Sequence, residues 1–174
     1  MSNLIIVEGE TEEKFFRIYK DLLKKQSLIK CCNLFQNSKK NNRIFGERYD
    51  NVYIILDSDI FSSTNWGIFK ENYKKINATK KFVFIQNQNF EDELVYALGI
   101  NNKNNLYKLF SVIGDKKFKS MFLKIQGDDC KNRLKNLDFN KLYIRFDECK
   151  EQIPKDIKLS IRDNKKIFKI KKIK

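Results

Sequence analysis

Residues 1–19, MSNLIIVEGETEEKFFRIY, decide how the rest of the chain is read. The apolar run Leu4–Val7 stops at Glu8-Gly9, and helical periodicity begins at Thr11. An apolar run closed by a glycine turn and followed by a helix predicts strand, tight turn, helix. Glu8 then stands at the carboxyl end of a strand, where open α/β sheets collect their ligands. Glu10, Glu12 and Glu13 follow at once. A second apolar run, Val52–Leu56, ends in Asp57-Ser58-Asp59. Acids at the ends of two buried strands are the feature from which the reading grows.

Working outward, Thr11 to about Gln26 is expected as the first helix, with Thr11 as N-cap and acids in the first turn. Ile29–Phe35 is the expected second strand, NSKKNN (37–42) a polar loop, and Asn51–Leu56 a central parallel strand. A helix from Asn65 or Trp66 to Ile76, a strand Lys81–Ile85 and a helix Glu91–Leu98 complete an alternating α/β pattern. Beyond Lys103 strand signals fade. Leu106–Val112, Lys116–Ile125 and Asp129–Leu137 suit short helices, as does Lys141–Phe146 less clearly. The expected fold is a Rossmann-type, mostly parallel α/β sheet flanked by helices, with a helical C-terminal half. Residues 1–100 form the α/β core, 101–154 a helical extension of the same domain, and 155–174 a basic segment.

Composition narrows the chemistry. The net charge of +14 points to a polyanionic partner, with nucleic acid ahead of an anionic membrane surface. Half of that excess lies in residues 155–174, where nine Lys/Arg face two Asp. Lys165, Lys166, Lys169, Lys171 and Lys172 are the candidate phosphate contacts. Ile167, Phe168, Ile170 and Ile173 argue that part of the segment packs. There is no histidine, which excludes Ser-His-Asp and Cys-His hydrolases and any imidazole base. With four cysteines and no CxxC, a zinc site is not expected either. Proton transfer then falls to carboxylates, Lys, Tyr or water, which suits oxygen-ligated magnesium or manganese. No signal peptide precedes Leu4 and no apolar run reaches the length of a membrane span, so a cytoplasmic protein with no membrane partner is expected.

Three predicted strand ends carry acids: Glu8 with Glu12, Asp57 with Asp59, and Glu91 with Glu93. Adjacent parallel strands would bring them to one edge. Grouped carboxylates repel unless a cation neutralises them. Against this stands the plain alternative that such acids cap helices or face solvent, which suits Glu13 best.

IIVEGETEEKFF followed by VYIILDSD resembles a Toprim domain, the fold shared by topoisomerases, bacterial primases, recombination proteins and small nucleases. The resemblance covers roughly residues 3 to 98. It implies Glu8 as the family's glutamate, with Asp57 and Asp59 as the metal-binding pair, so these three are the catalytic candidates. The sequence E-G-x-T-E with Phe soon after is similar to the nuclease branch, including the overcoming-lysogenization-defect type and small defence-associated members. There Glu12 and a glutamate after the next strand would help hold a second ion. Glu91 is the candidate for that role, with Glu93 as substitute.

The implied activity is two-metal phosphodiester hydrolysis of DNA or RNA with Mg2+ or Mn2+, endonucleolytic rather than exonucleolytic. Lys116, Lys117, Lys119 and Lys124 are candidates for assisting developing charge, and nothing in the sequence ranks them. No GxxxxGK[ST] is present, so a regulatory ATPase or other defence protein would be a separate partner, and an oligomer is open. The rivals are a catalytically silent nucleic-acid-binding Toprim module and a metal-free interaction protein. The silent module would bind in chelator as well as in magnesium, and the interaction protein would show no thermal shift with metal.

Overall fold

The computed structural model describes residues 3–37, 39–62, 65–148, 150–155 and 167–168. Four strands, β1 (Asn3–Val7), β2 (Ser27–Cys31), β3 (Arg48–Asp57) and β4 (Asn77–Gln86), form one all-parallel sheet in the order β2-β1-β3-β4. The helices are α1 (Glu10–Ile18), α2 (Lys39–Phe45), α3 (Trp66–Lys75), α4 (Phe90–Leu98), α5 (Lys103–Leu109), α6 (Asp115–Lys124) and α7 (Gly127–Arg133). The α/β architecture expected from the sequence is the one found.

Both faces of the sheet are covered, which is why β1 and the second half of β3 are almost continuously apolar. Ile5, Val7, Tyr53, Ile55 and Phe84 point into a core shared with α1, α4, α5, α6 and α7. Leu4, Ile6, Val52, Ile54 and Val83 point the other way, onto Ile44 of α2 and Phe69 of α3. The helical C-terminal half therefore shares the first core: Phe118 and Phe122 of α6 are fully buried in it, beside Phe90 and Phe110.

Several expected boundaries move. Gly9, not Thr11, is the N-cap of α1, and Thr11 is buried inside the first turn. The helix ends at Ile18 rather than near Gln26. A single 3-10 turn follows, and Leu23 is then drawn into an antiparallel bridge with Phe168. The Lys24 N–H donates to the Ile167 carbonyl at 2.8 Å, and the Phe168 ring stacks on Phe16 at 5.8 Å. Tertiary capture of the chain overrides helical periodicity there. Strand β2 is shifted to Ser27–Cys31 by its register with β1, so residues after Cys32 turn instead of extending. Part of the stretch 37–42 is helical, in α2. No helix forms over residues 141–145, where Tyr143 takes a left-handed backbone. Among the described residues no helix is long and apolar enough to cross a membrane.

Candidate functional site

Strand order creates the site. Because β1 and β3 are neighbours, Glu8 and Asp57 emerge side by side at the carboxyl edge, and the Asp57 N–H donates to Glu8 Oε1 at 3.3 Å. Gly9 turns the chain into α1 and brings Glu12 back over the same edge. A Cβ at this position would overlap Glu12 Oε2, so any larger residue here would displace that carboxylate from its place over the edge. Glu91 arrives from the far side, in the first turn of α4, whose N-cap Asn89 accepts from the Asp92 N–H at 3.4 Å. Asp59 lies just past Asp57 and is tied to the next strand end: its N–H donates to the Gln88 carbonyl, and Asn89 Nδ2 donates to its Oδ2 at 3.4 Å.

Glu8, Glu10, Glu12, Asp57, Asp59 and Glu91 line one open cavity of about 420 Å³, and Lys119 of α6 overhangs it. Glu12 Oε1, Asp57 Oδ1 and Glu91 Oε1 are buried with no hydrogen-bond partner. The Lys119 ammonium stands 3.7 Å from Glu91 Oε1, beyond hydrogen-bond reach, and pairs with Asp115 at 3.3 Å. Burial is the main force on these acids and it favours their neutral forms. Glu8 is pushed up to about 8, chiefly by desolvation, with Glu12 and Asp59 adding repulsion and the Asp57 N–H opposing. Desolvation likewise raises Asp57, with the Glu12, Glu8, Asp59 and Glu91 charges reinforcing it. Glu12 is raised by burial and by Glu91, and Lys119 relieves it in part. Glu91 is raised by burial against the same lysine.

Such a cluster is short of positive charge. Its donors are all hard oxygens, and three of them are buried with no hydrogen-bond partner, so the residues present fit a divalent cation of the magnesium or manganese type. Among the described residues the side chains do not converge into a ready-made cage of three ligands. Closure onto an ion would ask for side-chain rotation of the kind that cation binding itself drives.

Glu93, the expected substitute for Glu91, is placed elsewhere. Two residues apart on a helix, the two glutamates face different ways. Glu93 is fully buried and accepts from the backbone N–H groups of Asn87 at 2.9 Å and Tyr143 at 3.0 Å, with Arg145 at 3.3 Å. It is a structural tie between α4 and residues 143–145, not a cleft residue. Glu93→Ala is expected to lower stability by about 3 kcal/mol or more, because Arg145 and two buried N–H groups lose their acceptor. A urea melt checks this; an unchanged midpoint would refute the tie.

Of the four lysine candidates only Lys119 borders the cavity. Lys116, Lys117 and Lys124 are exposed on the same helix and do not line it. The tail candidates Lys165, Lys166, Lys169, Lys171 and Lys172 lie outside the described residues. Tyr53, Tyr107 and Tyr143 are core, and Tyr96 is partly exposed under the Arg145 guanidinium, 4.3 Å from its ring centre. Asn33 and Asn89 also line the cavity and were not foreseen. Asn33 was hidden by the expectation that β2 runs to Phe35, which made it mid-strand; with β2 ending at Cys31 it falls at the ligand-collecting edge. No family model, curated protein or solved structure matches the chain.

Proposed function

We propose that this chain is a divalent-metal-dependent phosphodiesterase of the Toprim nuclease kind, acting on nucleic acid. One observation supports this above the rest: six carboxylates from three strand-end turns line a single cavity at the carboxyl edge, and three of their oxygens are buried without a hydrogen-bond partner. A cluster built only for surface charge would be solvated, and one built for stability would be paired as Glu93 is.

In this reading Glu8, Asp57 and Asp59 hold one cation and Glu12 and Glu91 help hold a second. Bound there, the ions supply Lewis acidity toward a phosphate oxygen and toward water. Glu8 and Asp57 fix the orientation of the site, since they are linked through the Asp57 N–H. Lys119 faces the charge that develops on the phosphate. With no imidazole in the chain, a proton released in the reaction passes to a cleft carboxylate or to solvent. The +14 charge draws the phosphate backbone to the molecule without reading bases.

The deciding experiment is cleavage of labelled plasmid, single-stranded DNA, ribosomal RNA and tRNA in magnesium, manganese or EDTA, beside Glu8→Ala and Asp57→Ala. Metal-dependent cutting lost in both variants is expected. Absent cutting, with binding unchanged by EDTA and by both substitutions, would instead identify a silent binding module. Within an active enzyme, Lys119→Ala is expected to slow cleavage by about 100-fold or more, the scale for losing one charge-stabilising group. Lys116→Ala, Lys117→Ala and Lys124→Ala should stay within a few-fold. Equal effects at all four positions would remove Lys119 from the chemistry.

A further inference from the structure

Beneath the cleft lies a second set of polar groups that the proposed chemistry leaves unexplained. Gln86, the last residue of β4, is fully buried, and neither its amide nitrogen nor its amide oxygen has a hydrogen-bond partner. The Tyr143 hydroxyl is equally buried and makes no hydrogen bond of good geometry, although the Gln86 amide lies near enough to act on it as a hydrogen-bonding group. Register places Asp57 and Gln86 directly opposite each other on β3 and β4. The Gln86 side chain sits beside the Tyr143 hydroxyl, on which the charges of Glu12 and Asp57 also act.

Tyr143 is held there firmly and at a cost. Its ring stacks on Phe16 at 6.4 Å and meets Phe84 edge-on at 6.3 Å. Its N–H is anchored on Glu93 Oε2. Its φ of 59° is a conformation that bulky residues seldom adopt, costing on the order of 1–3 kcal/mol. Strain maintained at a buried tyrosine facing a carboxylate cluster calls for a reason.

Hydrogen-bond counting supplies one. Gln86 offers two amide hydrogens and Tyr143 one hydroxyl hydrogen, while Glu12 Oε1, Asp57 Oδ1 and Gln86 Oε1 are unpartnered acceptors in the same region. Native interiors leave few such groups unpaired, and small gaps among them are bridged by buried water.

We propose that Gln86 and Tyr143 are positioning residues that hold the inner oxygens of Glu12 and Asp57 from behind, through a shared network bridged by one buried water. The outer oxygens are thereby turned toward the cleft. This rests on the reading of the cleft as a cation site. The network plays the part that outer-shell partners play at metal centres, where their loss weakens metal affinity about 10- to 100-fold.

The test measures Mn2+ affinity from the electron paramagnetic resonance signal of the free ion, together with thermal melting in EDTA. Tyr143→Phe keeps both ring contacts and removes one donor, while Gln86→Met keeps the volume and removes the amide. Each is expected to weaken Mn2+ binding about 10- to 100-fold. Melting shifts in EDTA with Mn2+ affinity unchanged would show a purely structural role and overturn the proposal. A parent protein that binds no Mn2+ would overturn the cation reading as well, which separates the two failures. Should one variant fail to fold, the other decides the outcome.

Discussion

Asp57→Asn is expected to melt several degrees higher than the parent protein in EDTA, and yet to lose metal-dependent cleavage. The two effects share one cause. Asp57 is largely buried, its Oδ1 has no partner, and the charges of Glu8, Glu12, Asp59 and Glu91 all oppose its ionisation. Without a cation, folding must either protonate this group or hold it charged among like charges. The amide has the same shape and removes that penalty, at about 2–4 °C per kcal/mol for a chain of this size. The gain disappears where the carboxylate is needed. The rise in melting temperature on adding Mg2+ or Mn2+, a ligand-linkage effect, should shrink sharply in the variant. Cleavage should fall by at least about 100-fold, as for loss of one charge-stabilising group. A variant that melts lower in EDTA, or that cuts like the parent, would contradict this account of the cluster.

The second large effect is on pH. For Glu8 the folded value lies near 8 against an ordinary value of 4.5, and the cleft acids Glu12, Asp57 and Glu91 are displaced in the same direction, all mainly by burial. Between those limits the folded protein holds protons that the unfolded chain has released. Stability in EDTA therefore falls as pH rises from the ordinary carboxylate range through about 8, by about 1.4 kcal/mol per pH unit for each proton so held. Saturating Mg2+ should flatten this slope, because a cation displaces the protons and is bound more tightly at higher pH. Urea unfolding across this range with and without the ion gives the comparison. Parallel slopes in the two series would mean that the ion does not meet these carboxylates.

Glu8-Gly9 and Asp57-Ser58-Asp59 were legible from sequence because parallel strands buried on both faces leave continuous apolar runs, and the residue after each run is the edge of the sheet. The phase of β2 was not legible. Cys32, Leu34 and Phe35 are buried like strand residues, but against α3 and its neighbours on the other face, so apolar character continued past the point where pairing stops. Choosing between Glu91 and Glu93 required the helix to start at Phe90, since a shift of one residue redirects both side chains. Singling out Lys119 required α6 to pack across α1, a tertiary fact with no local signature. The early end of α1 was hidden for the same reason: its cause, Phe168, is far away in the chain.

The all-parallel sheet also governs how the molecule comes into being. Among the described residues none of the four strands has a hairpin partner: in the register of β1, Ile5 lies opposite Ile29 on one side and Tyr53 on the other, 24 and 48 residues further on. Each pairing must close a long loop before any contact rewards it. Refolding is therefore expected on the slow side for a chain of this length, in milliseconds to seconds rather than microseconds. Glu8 waits in the nascent chain until β3 and α4 have been made, so the mutually repelling acids are brought together by strand pairing and not by any attraction of their own. The cleft exists only once β1, β3 and α4 have met, so an ion that neutralises it acts on the assembled sheet edge and not on the separate segments.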